Sequence, residues 1–295
     1  MKRNVYLTET PLDEARKLFF EAIGEQAGER TDTICADVAA VGRITAAPVF
    51  AKLSSPHYHA CAMDGAAVKS ASTFGASERR PVMLALGEAG GAYMVDTGDP
   101  LPFGCDAVIM VEDLVATTPE SITIITPARP WQHVRTVGED IVATELVLPE
   151  NHAITPADVG ALLAAGVTEV QVRRRPRVAI IPTGDELVPA GAELKPGDII
   201  EFNSQIIGGL VAEWGGTPDI RPIVPDDFDA ITQAVADAAS VADIVIVNAG
   251  SSAGSEDFTS AVVKRVGTLV VHGVGIKPGK PTILGIVEGR PFIGV

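Results

Sequence analysis

The spacing of apolar positions divides the chain into three kinds of sequence. Over residues 10–24, Leu12, Ala15, Phe19 and Ala22 recur at helical spacing. Thr10 is placed to cap this helix and Pro11 suits its first position. Asp13 and Glu14 fall in the first turn, where the helix dipole favours acids. A second helix is signalled by Thr155-Pro156 with Asp158. It carries Val159, Leu162 and Leu163, and stops at Gly166. Between these two helices, residues 47 to about 140 hold short runs such as Ala107–Val111 and Ser121–Thr126, separated by Gly, Pro and Asp turns. That pattern predicts a small β-rich domain. A β-rich stretch bracketed by helical segments reads as an insertion into a discontinuous body.

From Arg177 the period changes again. Strands are predicted at 178–182, 220–224, 244–248 and 269–272, and helices at 203–214, 228–239 and 257–265. This alternation predicts a parallel sheet with helices on both faces. The fold class is therefore α/β and multidomain.

Composition narrows the partners. The 295 residues include 38 Asp+Glu against 23 Lys+Arg, a formal charge of −15. Nucleic acid and anionic membranes call for a basic surface, which this balance does not supply. With 46% hydrophobic residues the chain is expected to fold. No apolar run reaches the roughly 18 residues of a membrane span, and no signal-peptide core is visible. Cys35, Cys61 and Cys105 are odd in number and widely spaced, so they form neither a disulfide framework nor a C-x-x-C motif. A reducing cytoplasm is the expected compartment.

Ligands of open parallel sheets bind beyond the carboxyl ends of the strands. Four turn-rich segments follow the predicted strands: Thr183-Gly184-Asp185-Glu186; Pro225-Asp226-Asp227; Gly250-Ser251-Ser252-Ala253-Gly254, with Glu256 and Asp257 opening the next helix; and Lys277-Pro278-Gly279-Lys280-Pro281. Each also has a structural reading. The first is equally a plain turn, and Asp226 and Asp227 are natural helix caps. The Gly/Ser loop suits an anion but matches no phosphate-loop signature. Two lysines on one Pro/Gly turn repel each other and point to an anion. Acidic groups facing them would suit a phosphate bridged by a divalent cation. In the β-rich stretch, His57 and His59 lack a third metal ligand at standard spacing and read as structural. Asp64-Gly65 and Thr97-Gly98-Asp99-Pro100 read as turns, and Arg135 with Glu139 and Asp140 as a surface ion pair.

These segments in this order resemble the molybdopterin molybdenumtransferase family, which includes MoeA and the gephyrin E domain. The resemblance is carried by Ala62-Met63-Asp64-Gly65, Thr97-Gly98 with Pro100-Leu101-Pro102, Gly138-Glu139-Asp140-Ile141, Thr183-Gly184-Asp185-Glu186-Leu187, Asn203-Ser204, Asp257 and Lys277-Pro278-Gly279-Lys280-Pro281. It runs from about residue 5 to the end. Two departures stand out. His59-Ala60-Cys61 replace the usual Asp-Asn-Ser, and Gly250-Ser251-Ser252-Ala253 replace Gly-Gly-Val-Ser.

The resemblance implies a helical, elongated dimerisation domain from residues 1–46 plus 141–176, an inserted β-rich domain at 47–140, and a molybdopterin-binding α/β domain at 177–295. The family's closing β-barrel is not expected within this sequence. The implied reaction inserts molybdate into adenylylated molybdopterin and releases AMP, assisted by Mg²⁺, in a cytoplasmic homodimer. By motif, Asp140, Glu186, Asp257, Lys277 and Lys280 would be catalytic, with Glu186 and Asp257 on the metal. Thr97, Thr183, Asp226, Asp227, Ser252, His59 and Asp64 would contact substrate. Two other readings stay open: a non-catalytic molybdate or pterin sensor or scaffold, and a hydrolase of another phosphoanhydride.

Overall fold

The computed structural model describes residues 9–24, 30–87, 91–249 and 258–295. Contacts divide the chain into two compact units. One comprises residues 1–31 with 173–295, the other residues 32–172.

The first unit is built on a six-stranded sheet. Its strand order is Thr217–Ile220, Arg177–Thr183, Ile244–Ala249, Arg290–Gly294, Ile283–Val287, Gly267–His272. Arg177–Thr183 is buried along nearly its whole length, as expected of a parallel strand covered on both faces. Helices Phe228–Val241 and Phe258–Val266 pack with it around Ile181, Ile231, Val235, Val262, Val263 and Phe292. On the other face Val211 of helix Asn203–Glu213 meets Val178 and Ile180. Each such fully buried side chain contributes about 1.5–3 kcal/mol.

The sheet is mixed rather than wholly parallel. Ile283–Val287 runs antiparallel to both of its neighbours. The cause is a two-residue hairpin, Glu288-Gly289, whose φ values of 47° and 75° match the turn that joins antiparallel strands directly. Because one strand is reversed between two others, Gly267–His272 still runs in the direction of the parallel set. Its carboxyl end therefore lies on the same sheet edge as those of Arg177–Thr183 and Ile244–Ala249.

The strand expected at 220–224 lies at Thr217–Ile220 instead. Pro222 and Pro225 supply no N–H to the ladder, so Val224 keeps only an isolated bridge to Thr183. The first helix spans Leu12–Ile23, and Thr10 does not cap it. Thr10 pairs with the segment after His272 instead: its N–H donates to the Gly273 carbonyl, and its carbonyl accepts from the Gly275 N–H. This helix buries Ala15 against Val271 and Val274, within the α/β unit.

The second unit has three hydrophobic clusters. Residues 32–51 and 141–172 gather Ala40, Leu148, Ile154, Leu162, Val167 and Val172 around helix Pro156–Ala164. The helix start signalled by Thr155 and Asp158 is a capping box: the Thr155 hydroxyl oxygen accepts from the Asp158 N–H, and the Asp158 carboxylate accepts from the Thr155 N–H. The stretch between holds two three-stranded antiparallel sheets. One has Gly65–Val68 between Tyr93–Val95 and Ala107–Met110; the other has Ser121–Ile124 between Val82–Ala85 and Leu114–Thr117.

Candidate functional site

The carboxyl edge of the α/β sheet gathers three of the four segments singled out by sequence. The fourth, with Ser252 and Asp257, lies outside the described residues. Thr183 is buried and ends its strand. Past it, Asp185 Oδ1 accepts the Asp226 N–H at 3.1 Å. Burial, then the charges of Asp185 and Glu186, push the Asp226 carboxyl above the usual range. Adjacent Asp227 does something different. Its Oδ1 accepts the Ala230 N–H at 2.8 Å and caps helix Phe228–Val241. The capping reading thus holds for Asp227, while Asp226 joins Glu186 in an acidic group. Asp185 completes that group and was not nominated from the sequence. It stands inside the quoted Thr-Gly-Asp-Glu motif, which was the signal available.

The lysine turn follows Gly267–His272, four strands along the same edge from the strand that precedes Glu186. At the standard strand spacing that is roughly 19 Å. A single phosphate cannot span it, whereas an elongated substrate can. Lys280 Nζ lies 2.5 Å from Glu9 Oε1, so its charge is already matched. Lys277 has no ion pair among the described residues. Glu9 escaped the sequence reading because only the pairing of Thr10 with Val274 brings it to this turn.

Mg²⁺ is the cation that the resemblance implies for this acidic group. Among the described residues no three His, Cys, Asp or Glu side chains form a metal-holding group. Mg²⁺ ordinarily takes only one or two carboxylates and keeps several waters. Glu186 and Asp226 are hard oxygen donors beside one another, and the mutual repulsion that acts on Asp226 is what a cation relieves. The donor chemistry fits.

In the second unit, Asp64, Thr97, Asp140 and His59 converge on one region. Asp64 Oδ1 accepts from both the Thr97 N–H and its hydroxyl. Gly65 follows, with φ 155°, and a Cβ there would lie 2.0 Å from the Ile109 carbonyl oxygen. The motif therefore needs glycine for close backbone approach. The Asp140 carboxylate receives Arg135 Nη2 at 2.7 and 2.6 Å, which raises the guanidinium pKa further. A cleft of about 380 Å³ is lined by Pro56, His57, Tyr58, Ala60, Cys61, Thr97, Arg135 and Asp140, among others. His59 Nδ1 accepts the Val137 N–H at 3.2 Å, and its ring packs on Trp131 at 5.0 Å. Trp131 and Tyr58 were missed by sequence reasoning. Tyr58 stands between His57 and His59, both singled out from the sequence, whereas nothing in the sequence marked Trp131.

Comparison with known proteins covers both units. The family model described as "MoeA N-terminal region (domain I and II)" matches residues 10–166, and the one described as "Probable molybdopterin binding domain" matches residues 179–294. A molybdopterin biosynthesis protein of Methanocaldococcus jannaschii is 33% identical over 95% of this chain and 74% of its own length. The molybdopterin molybdenumtransferase of a Nostoc species is 34% identical over 85% of this chain, which spans only 61% of it. Among solved structures, the molybdopterin biosynthesis MoeA protein of Pyrococcus horikoshii superposes with TM-scores of 0.84 and 0.77 at 31% identity. Those matches cover 97% of this chain and 74% of theirs.

Proposed function

Since the chain belongs to the MoeA family of molybdopterin biosynthesis proteins, we propose that it is a transferase of molybdenum cofactor biosynthesis. It inserts molybdate into the dithiolene of adenylylated molybdopterin, with release of AMP. The observation that carries this reading is the shared sheet edge, where an acidic group and a lysine with no ion pair among the described residues stand several strands apart. That separation suits a long substrate bearing charge at more than one place.

Lys277 neutralises an anionic oxygen of substrate or molybdate, and no protein carboxylate competes for it among the described residues. Glu186 and Asp226, with Asp257, would hold Mg²⁺, which supplies charge neutralisation at the phosphoanhydride. Water is the nucleophile, oriented beside the acidic group of Asp185, Glu186 and Asp226. Attack at the adenylate phosphorus breaks the bond to the bridging oxygen, leaving AMP and the molybdopterin phosphate. Thr183 positions substrate at the end of its strand, and Lys280 supports the turn through Glu9. Of the dimerisation domain expected from residues 1–46 plus 141–176, residues 1–31 and 173–176 fold with the α/β unit instead; a homodimeric assembly and a cytoplasmic location belong to the same reading. No helix among the described residues is long and apolar enough to cross a membrane.

The test supplies adenylylated molybdopterin and Mg²⁺, with and without molybdate, and follows AMP. Molybdate-stimulated AMP release is expected. Cleavage indifferent to molybdate overturns the transferase reading in favour of a phosphoanhydride hydrolase. Binding without turnover overturns it in favour of a sensor.

A further inference from the structure

Glu9 meets Lys280 because the backbone beside each of them is pinned to one residue, Val274. On the Glu9 side, the Thr10 N–H donates to the Gly273 carbonyl and the Thr10 carbonyl accepts from the Gly275 N–H, which bridges Thr10 to Val274. The helix that follows holds this strap down: the Ala15 N–H donates to the Pro11 carbonyl, and the buried Ala15 packs on Val271 and Val274. On the lysine side, the Val274 N–H donates to the Lys280 carbonyl and the Gly273 N–H to the Thr282 carbonyl. The turn is closed by the Gly279 carbonyl, which accepts both the N–H and the hydroxyl of Thr282.

A half-exposed ion pair ordinarily contributes little, in part because ordering two long side chains offsets their attraction. Here the backbone supplies much of that order on both sides, and Glu9 Oε1 lies 2.5 Å from Lys280 Nζ. The pair divides the turn. Lys280 is matched, whereas Lys277, three residues earlier, has no ion pair among the described residues. Two free ammonium groups at this spacing would grip a tetrahedral dianion between them. One ammonium beside a neutralised neighbour holds it far less tightly. The difference matters for a group that has to be passed on, because tight binding of the ground state opposes its departure.

We propose that Glu9 is a positioning residue that sets the charge of the lysine turn. By occupying Lys280 it leaves Lys277 to meet the ligand, so that a tetrahedral oxyanion binds weakly at the turn and is released rather than retained. This deepens the transferase reading and rests on it for the place of the anion.

Calorimetric titration with sodium molybdate, and separately with sodium sulfate, tests the full chain in four forms: the parent, Glu9→Gln, Lys280→Ala and the double variant. Glu9→Gln is expected to bind both dianions at least tenfold more tightly than the parent. Lys280→Ala is expected to cancel this gain, so that the double variant binds as Lys280→Ala does. A merely structural Glu9 would not produce that cancellation. Nor would the removal of one negative charge from a chain of net charge −15. Equal affinity in the parent and Glu9→Gln, absence of binding in both included, overturns the proposal. A gain that survives in the Lys280→Ala background overturns it too. AMP release followed in the same variants keeps the two readings apart. A tenfold gain in Glu9→Gln, from a parent that never releases AMP in response to molybdate, supports the role of Glu9 and removes the transferase reading. Molybdate-stimulated release by a parent whose Glu9→Gln form shows no gain removes the role of Glu9 alone.

Discussion

Asp64 Oδ1 takes two hydrogen bonds from one residue, the Thr97 N–H at 2.6 Å and the Thr97 hydroxyl at 2.7 Å. The hydroxyl bond, then the amide bond, hold the Asp64 carboxyl below the usual carboxylate range. A depressed folded pKa adds stability that is present above the unfolded value, about 3.9, and lost as pH falls through the folded one. Thermal melts of the parent are expected to steepen their decline below about pH 4, and those of Asp64→Asn to decline less steeply. Identical pH profiles would remove Asp64 from this role.

Asp226 has the opposite sign. Its folded pKa is raised, so its favourable contribution is complete below the unfolded value and is lost as pH rises through the folded one. At neutral pH the charged group opposes folding. Asp226→Asn is therefore expected to raise the melting temperature at pH 7 and to reduce the stabilisation given by millimolar Mg²⁺. Differential scanning fluorimetry with and without the ion measures both. A variant that melts lower than the parent, or that responds equally to Mg²⁺, contradicts the acidic-group assignment.

The two lysines of one turn are expected to behave differently. Lys277→Ala should lower molybdate-stimulated AMP release by about 10²-fold, the scale of losing one charge-stabilising donor, with no change in melting temperature. Lys280→Ala removes a half-exposed ion pair with Glu9 and should cost no more than about 1 kcal/mol. Equal kinetic losses in the two variants would show that the Glu9 pair does not divide their roles.

Thr155→Ala removes one half of the capping box and should destabilise the protein by about 1 kcal/mol in urea denaturation. Asp158→Ala should cost more. Asp158 also bonds His152 Nε2 at 2.7 Å, so its loss leaves two partners unmatched. The reverse ranking would place the stabilisation elsewhere.

Gly65→Ala puts a methyl group against the backbone oxygen of Ile109, which no side-chain rotation relieves. A loss of at least about 3 kcal/mol is expected, seen as loss of soluble, cooperatively folding protein. A variant that folds with parental stability would mean that the Gly65–Val68 strand can separate from Ala107–Met110 without cost.

Much of this architecture was legible in the chain. Caps, prolines and apolar spacing located the helices, because these are local signals: Asp227 and Thr155 each act within three residues of themselves. The site was legible as motifs but not as relationships. Asp226 and Asp227 are neighbours with different fates, and only the sheet, by bringing Asp185 and Glu186 beside one of them, separates the two. The reversed strand was missed because Glu288-Gly289 is a weaker hairpin signal than Asn-Gly. Glu9 and Trp131 were missed because their partners, Lys280 and His59, lie far away in sequence.

The helix Leu12–Ile23 docks on strands Gly267–His272 and Ile283–Val287, which leave the ribosome roughly 240 residues later. At about 5–20 residues per second that is a delay of roughly 12–50 s. Throughout that interval the nascent chain carries a helix with no surface of its own to cover, while the whole of residues 32–172 emerges and can fold. The helix Leu12–Ile23 is placed only after the strands it docks on have emerged, so its docking waits on the whole of residues 32–172.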